Sequence, residues 1–315
     1  MNAMHKTGSL ALWAAGLTVL TWSSSYAAIS YGLRVFTPGE LAFLRFLIAT
    51  ACFAVLMVFG LIKLPARRDW PAVVLLGLVG QVGYQLFLGY GMTHMSAGGA
   101  AVIISMVPAV TSVLAVLRLK ESVGRRAMLG LGIAFAGTLL VTVGRGREVH
   151  LEPTALLIFG AVLCSSSYFV FQKPVLARSS ALGFTAATLF VGALGMLPFA
   201  THLPQKLLHV SPAQLGSALY LALVPTVIGF FCWSFALARA PASQIASFLY
   251  LQPIGAFVIA WLWLGEVPTW LIVGGALLAI VGVLLATAPP ALTRLLQRWM
   301  IGPRRANAAE SNAIL

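Results

Sequence analysis

Ten times along the chain, about twenty consecutive residues pass with almost no charge. A run of that length crosses a hydrocarbon core about 30 Å thick. In lipid the backbone must bond to itself, so each run is expected to be a helix. The runs span about Leu10 to Tyr31, Gly39 to Leu61, Ala72 to Met92, Ala97 to Leu117 and Gly124 to Val143, then Pro153 to Pro174, Ala181 to Leu203, Pro212 to Ala238, Ala242 to Leu264 and Pro268 to Ala288. Only 9% of the residues are charged, where a soluble domain carries about 25%. So few charges could not clothe a water-soluble surface. The expected fold class is an all-α membrane protein with ten transmembrane helices.

The 20 Lys and Arg against 7 Asp and Glu leave a net charge of +13. In a soluble chain this would suggest nucleic acid. Here the basic residues cluster between apolar runs, where they orient helices, so no nucleic-acid partner is expected. With the N-terminus placed in the cytoplasm, fifteen basic residues fall on the cytoplasmic side and four, Arg34, Arg145, Arg147 and Lys206, on the other. Arg45 lies within a span. That bias selects a multi-pass protein of the cytoplasmic (inner) membrane with both termini inside and an even number of spans. The first run reaches Tyr31, too long for a signal peptide ending near Tyr26. The basic tail, "LTRLLQRWMIGPRR", either lies on the anionic leaflet or is a disordered topogenic segment.

The second half repeats the first. At an offset of 145 residues, Pro108 falls on Pro253, Glu121 on Glu266, Gly130 on Gly275 and Gly137 on Gly282 without a gap. At an offset of 142, "WSSSY" at Trp22 to Tyr26 falls on "CSSSY" at Cys164 to Tyr168. Residues 1–9 then form a cytoplasmic N-terminus, 10–143 and 153–288 two five-helix units, and 289–315 the basic tail. Five is odd, so the two units enter the membrane from opposite sides. Such inverted repeats suit alternating access to a midplane site.

Ten spans as five plus five, "WSSSY" in the first, "PGELAFLRF" opening the second, and the doubled Pro108 and Glu121 resemble the drug/metabolite transporter superfamily, EamA-type branch. The resemblance covers about Leu10 to Ala288. One departure is Trp22-Ser23, where the family more often has Trp-Gly. It implies a secondary carrier, often an exporter of amino acids and related metabolites. It also implies a central cavity lined mainly by spans 1, 3, 4, 6, 8 and 9.

Polar residues deep in lipid mark helix contacts or a solute path. Trp22 and Tyr26 share a face of span 1, as do Tyr168 and Gln172 of span 6. The serines of the two motifs, Ser23 to Ser25 and Ser165 to Ser167, either let helices approach closely or face the solute. Gln81, Tyr84 and Gln85 share a face of span 3, and two glutamines at that depth pair with helices or line a wet cavity. Pro108 and Pro253 free the carbonyls of Ile104 and Leu249, which suits a hinge, a solute ligand or a packing kink. Beside them, Ser105, Tyr250 and Gln252 form a second candidate binding face, and Trp233 of span 8 is a further candidate. Burying Arg45 costs about 2.5–3.5 kcal/mol on insertion scales. It therefore either pairs with Glu40 or a carbonyl, or captures a substrate carboxylate.

All seven acids and all five histidines fall at span ends or in loops. Proton relays in carriers usually need such a group inside the membrane, so transport without proton coupling is expected. Cys52, Cys164 and Cys232 show no metal or redox spacing. No nucleotide loop, HExxH or converging catalytic set occurs, so neither a cofactor nor an enzyme activity is expected. The partners are a small-molecule substrate and the bilayer. The reading is a carrier that exports amino acids or related metabolites. A drug or lipid-intermediate exporter is the alternative, favoured by a wide apolar cavity open to lipid, and a non-transporting receptor or assembly protein is the second.

Overall fold

The structure is a computed structural model and describes residues 2–94, 103–143, 155–255, 258–259 and 269–287, without the side chains of 2–8, Tyr26, Ala27, Ser30, His94, 142–143 and 155. The described residues form helices joined by short turns and loops and contain no strand. Six helical stretches are long and apolar enough to cross a membrane: Pro38–Val58, Arg67–Thr93, Leu156–Leu176, Ala181–Ala200, Pro212–Leu237 and Trp270–Thr287. Asn2–Gly32, Val107–Leu119 and Arg125–Val143 are further helices. The first begins eight residues before the apolar run predicted for it: no proline lies from Asn2 to Ser9, and the single glycine, Gly8, costs only about 1 kcal/mol.

Local chemistry sets several helix starts. Thr37 caps the 38–58 helix: its hydroxyl accepts from the Glu40 amide, while Glu40 accepts from the Thr37 amide at 2.7 Å. Ser211 and Gln214 repeat this reciprocal box at the start of the 212–237 stretch, and each box is followed at once by proline. Proline at the first helical position loses an amide that had no intrahelical partner anyway.

The perimeter is apolar. Trp13, Val58, Leu129 and Trp270 are exposed, the last at 90%. Exposed side chains of that kind suit a lipid solvent.

The two halves meet on a glycine seam. The helices 125–143 and 270–287 run antiparallel, with Gly130 against Gly282 and Gly137 against Gly275. A methyl group added at any of the four would strike backbone atoms of the other helix. Under the 145-residue offset, Gly130 becomes Gly275 and Gly282 becomes Gly137, so each contact maps onto the other. A twofold axis perpendicular to the helices does this, whereas an axis along them would leave the pair parallel.

A second matched feature was not legible in the sequence. Leu78–Gly83 and Ala222–Gly229 are wound as π-helix inside longer stretches. They fall on one another at the same offset. Single π turns inside helices commonly mark functional sites.

Candidate functional site

Between these elements lies a small cavity of about 50 Å³. Trp22, Ser25 and Ile29 line it from the first helix and Arg45 from the second. Gly80, Tyr84, Gln85 and Leu88 border it from the 67–93 stretch, Ser165, Tyr168 and Phe169 from 156–176, with Phe230 and Gln252 closing it. Both halves of the chain therefore contribute. Ile29, Arg45, Gln85 and Leu88 also border a second void of about 20 Å³, which runs on towards Leu33, Pro38 and Met92 at one end of the molecule.

Aromatic rings form one wall. The Trp22 ring stands 5.3 Å from Phe230, 6.2 Å from Phe169 and 5.2 Å from Trp233. Its indole N–H donates to the Pro225 carbonyl at 2.9 Å. That bond ties the first helix to the π segment of the 212–237 stretch.

The doubled serine motif holds the two proline breaks. Pro108 lies in the first turn of the 107–119 helix, just after a turn at 105–106. Pro253 follows a 3₁₀ segment, Phe248–Leu251, in which the Leu249 carbonyl accepts from the Gln252 amide. So the carbonyl that Pro253 deprives of a partner is satisfied by a tighter turn. The Ser23 hydroxyl reaches the Gln252 carbonyl at 3.0 Å as well as Val19 in its own helix at 2.6 Å. In the other half, Ser166 donates to the Val107 carbonyl at 3.3 Å. Val107 precedes Pro108 and Gln252 precedes Pro253. The motif of each half thus grips the residue before the proline of the opposite half. Small size matters too, since a side chain at Gly255 would meet Ser23. Ser25 and Ser165 instead border the cavity.

Arg45 is 5% exposed. Its Nε and Nη2 donate to the Thr226 hydroxyl at 3.1 and 2.9 Å. Thr226 in turn donates to the Leu221 carbonyl at 2.7 Å. Leu221 is four residues before Pro225, so that carbonyl lacks its usual amide donor. Arg45, Thr226 and the Leu221 carbonyl freed by Pro225 therefore form one chain of hydrogen bonds that runs from the 38–58 helix into the 212–237 stretch. Glu40 is not the partner of Arg45: it pairs with Lys206 at 2.6 Å.

The described acids tie helix ends together. Glu40–Lys206 closes one end of the molecule. Asp69–Arg178 and Glu121–Lys173 close the other. Lys120 ends the 107–119 helix in the left-handed conformation, φ 53°, and turns Glu121 onto the start of the 242–247 helix. There Glu121 accepts from the Ala242 and Ser243 amides at 2.8 and 3.2 Å, donors that a helix start leaves unbonded. Burial pushes the Glu121 carboxyl up, but those bonds and Lys173 outweigh it and hold it below the usual carboxylate value.

Of the residues expected at the site, Trp22, Tyr84, Gln85, Tyr168 and Gln252 border the cavity. Gln81 is fully buried beside the Tyr168 hydroxyl, with neither amide atom in a hydrogen bond. Gln172 accepts weakly from Ser234 at 3.4 Å, and Trp233 packs behind Trp22 and Phe169. Ser105 is buried away from the cavity lining. Tyr250 faces Phe135 and borders a separate apolar groove of about 720 Å³ beside the 107–119 and 125–143 helices. The side chain of Tyr26 lies outside the described residues. Sequence reasoning missed Thr226 and Phe230, and left Ser165 open between helix packing and the solute path. The signal for Thr226 was its place directly after a mid-span proline.

A cavity of mixed polar and aromatic lining, shared by two inverted halves that are each broken at a proline, is the build of a secondary carrier. The profile of the EamA-like transporter family matches residues 9–143 and again 153–288. The chain belongs to that family. It is 33% identical over 267 residues to "Uncharacterized transporter YdfC" of Bacillus subtilis, covering 85% of this chain and 87% of that one. It is 32% identical over 277 residues, 88% and 93% of the two chains, to "Probable terminal-alkyne amino-acid exporter" of Streptantibioticus cattleyicolor. "Probable amino-acid metabolite efflux pump" of Salmonella typhimurium is 27% identical over 292 residues, 89% and 94% of the chains. A solved crystal structure superposes with a TM-score of 0.72 at 19% identity, over 90% of this chain and 98% of the other, a likeness of fold.

Proposed function

We propose that the protein is a ten-span carrier of the cytoplasmic membrane that exports amino acids or related small metabolites by alternating access, with both termini cytoplasmic and no proton coupling. The observation that carries this reading is the cavity itself. Polar side chains line it among aromatic and aliphatic ones, both halves build it, and its lining among the described residues holds one fixed cation and no carboxylate. Family membership and the names of the exporting relatives support the substrate class. At about 50 Å³ the cavity is smaller than the roughly 300–1,000 Å³ of ligand sites, so a solute enters only when the helices part. The ion pairs at the two ends are the contacts that must break in turn.

Counterflow in proteoliposomes tests this. Vesicles are loaded with unlabelled amino acids at equal pH on both sides, and labelled amino acids are followed inward. Accumulation above empty vesicles is expected. Gln85→Leu, which removes an amide from the cavity wall, is expected to leave a folded protein with transport reduced at least about tenfold. No accumulation by folded wild-type protein, or dependence on an imposed pH gradient, would overturn the reading. The apolar groove beside Tyr250 favours a second reading, an exporter of lipophilic compounds, which labelled lipophilic solutes in the same vesicles would reveal.

A further inference from the structure

We propose that Arg45 is the group that recognises the substrate, by holding its carboxylate, and that the Thr226 hydroxyl positions it. The inference rests on the transport reading above and names its chemistry. Arg45 sits seven residues into the 38–58 helix, about 10 Å below the helix start. A charge at such depth is costly unless something compensates it. Buried charges are normally paired with an opposite charge. Among the described residues no carboxylate pairs with Arg45: Glu40, Asp69 and Glu121 are each committed to Lys206, Arg178 and Lys173 at the two ends of the molecule.

The hydrogen bonds show what does hold Arg45. Thr226 has one proton, and it points at the Leu221 carbonyl. Its oxygen is therefore an acceptor for the guanidinium, and Nε and Nη2 take it. Thr226 orients the guanidinium and leaves its charge intact. Arg45 also borders both the central cavity and the void that leads from it to one end of the molecule. A planar fork with a spare edge is the group best suited to a carboxylate. For the rest of an amino acid, the same wall offers the amide oxygens of Gln85 and Gln252 to an ammonium and the Trp22 ring to a side chain. The arrangement is one-sided, because the residue matching Arg45 at the 142-residue offset is Ala187. One carboxylate per transport cycle follows from one arginine.

The test compares, in counterflow, an amino acid with its carboxamide, which has the same side chain and ammonium but no anionic group. Wild-type protein is expected to favour the acid by at least about tenfold, since a site built for a bonded group rejects analogues that lack it. Arg45→Gln is expected to bring the two rates within about twofold, and Arg45→Lys, which keeps the charge but loses the fork, to give an intermediate ratio. A ratio is read rather than a rate because general loss of structure would lower both solutes together. Equal transport of acid and amide by the wild type would overturn the proposal while leaving the carrier intact. So would an undiminished preference in Arg45→Gln. If Arg45→Gln does not reach the membrane folded, the wild-type ratio decides alone. Transport of neither solute by the wild type would instead overturn the carrier reading on which the proposal rests.

Discussion

Replacing Gly137 with alanine sets a methyl group into the seam between the two halves. The new Cβ would stand 2.6 Å from the Gly275 carbonyl oxygen and 2.8 Å from Ala279 Cα. Carbon atoms pack at about 3.5–4.0 Å, so the helices must separate by about 1 Å locally. The obstructing atoms are backbone, and no rotamer change relieves them. Overpacking of this kind costs about 1–3 kcal/mol. Gly282→Ala meets the matched surroundings in the opposite sense, Gly130 and Ala134, and should cost the same. The double substitution should cost less than the sum, because one separation of the helices accommodates both methyl groups. Gly132→Ala and Gly274→Ala are the controls: they lie on the same two helices with nothing within 4 Å. Alanine there gains up to about 1 kcal/mol of helix propensity. The assay is thermal unfolding of the purified protein in detergent, followed by tryptophan fluorescence. At roughly 2–4 °C per kcal/mol, seam variants should melt several degrees lower and controls no lower than wild type. A neutral Gly137→Ala, or an equal loss in Gly132→Ala, would refute the seam.

The serine grips give a paired expectation. Ser23→Ala and Ser166→Ala each remove one bond across the halves, worth about 0.6–1.7 kcal/mol in membrane proteins, and should lower the melting midpoint by similar small amounts while altering transport rate. Ser25→Ala, whose bond is to Trp22 in its own helix, should leave the midpoint unchanged. The tie at Glu121 should show in pH dependence. Its carboxyl is held below the ordinary value, so its contribution to stability is present above about pH 4.5 and is lost as pH falls through the lowered value. Glu121→Gln should flatten the fall of the melting midpoint below pH 4.5, and an unchanged acid profile would remove this tie from the account.

Much of the architecture was legible because lipid leaves few choices. A run of twenty apolar residues must be helical, and a gap-free repeat with matched Pro and Gly implies two related units. Pairing Gly130 with Gly275 in the sequence predicted that the halves correspond, but not that Gly130 touches Gly282. Five of the eleven expected site residues border the cavity, and they are polar or aromatic residues near the middle of their runs. Tyr250 and Trp233 met the same criterion, yet one turns to a lateral groove and the other packs behind Trp22. Helical periodicity says which residues share a face, not what that face meets.

By itself, then, the sequence determined the solvent, the helices, the duplication and the chemical types available at mid-depth, because these follow from local hydropathy and spacing. Only the tertiary structure decided the partners. Ser23 reaches across 229 residues to Gln252, Trp22 across 203 to Pro225, and Arg45 across 181 to Thr226. Each of these bonds depends on how helices distant in the chain cross, and crossing is set by the packing of whole faces. The π segments belong to the same class, since they appear where a proline or a close glycine contact makes one winding fit its neighbours better than another.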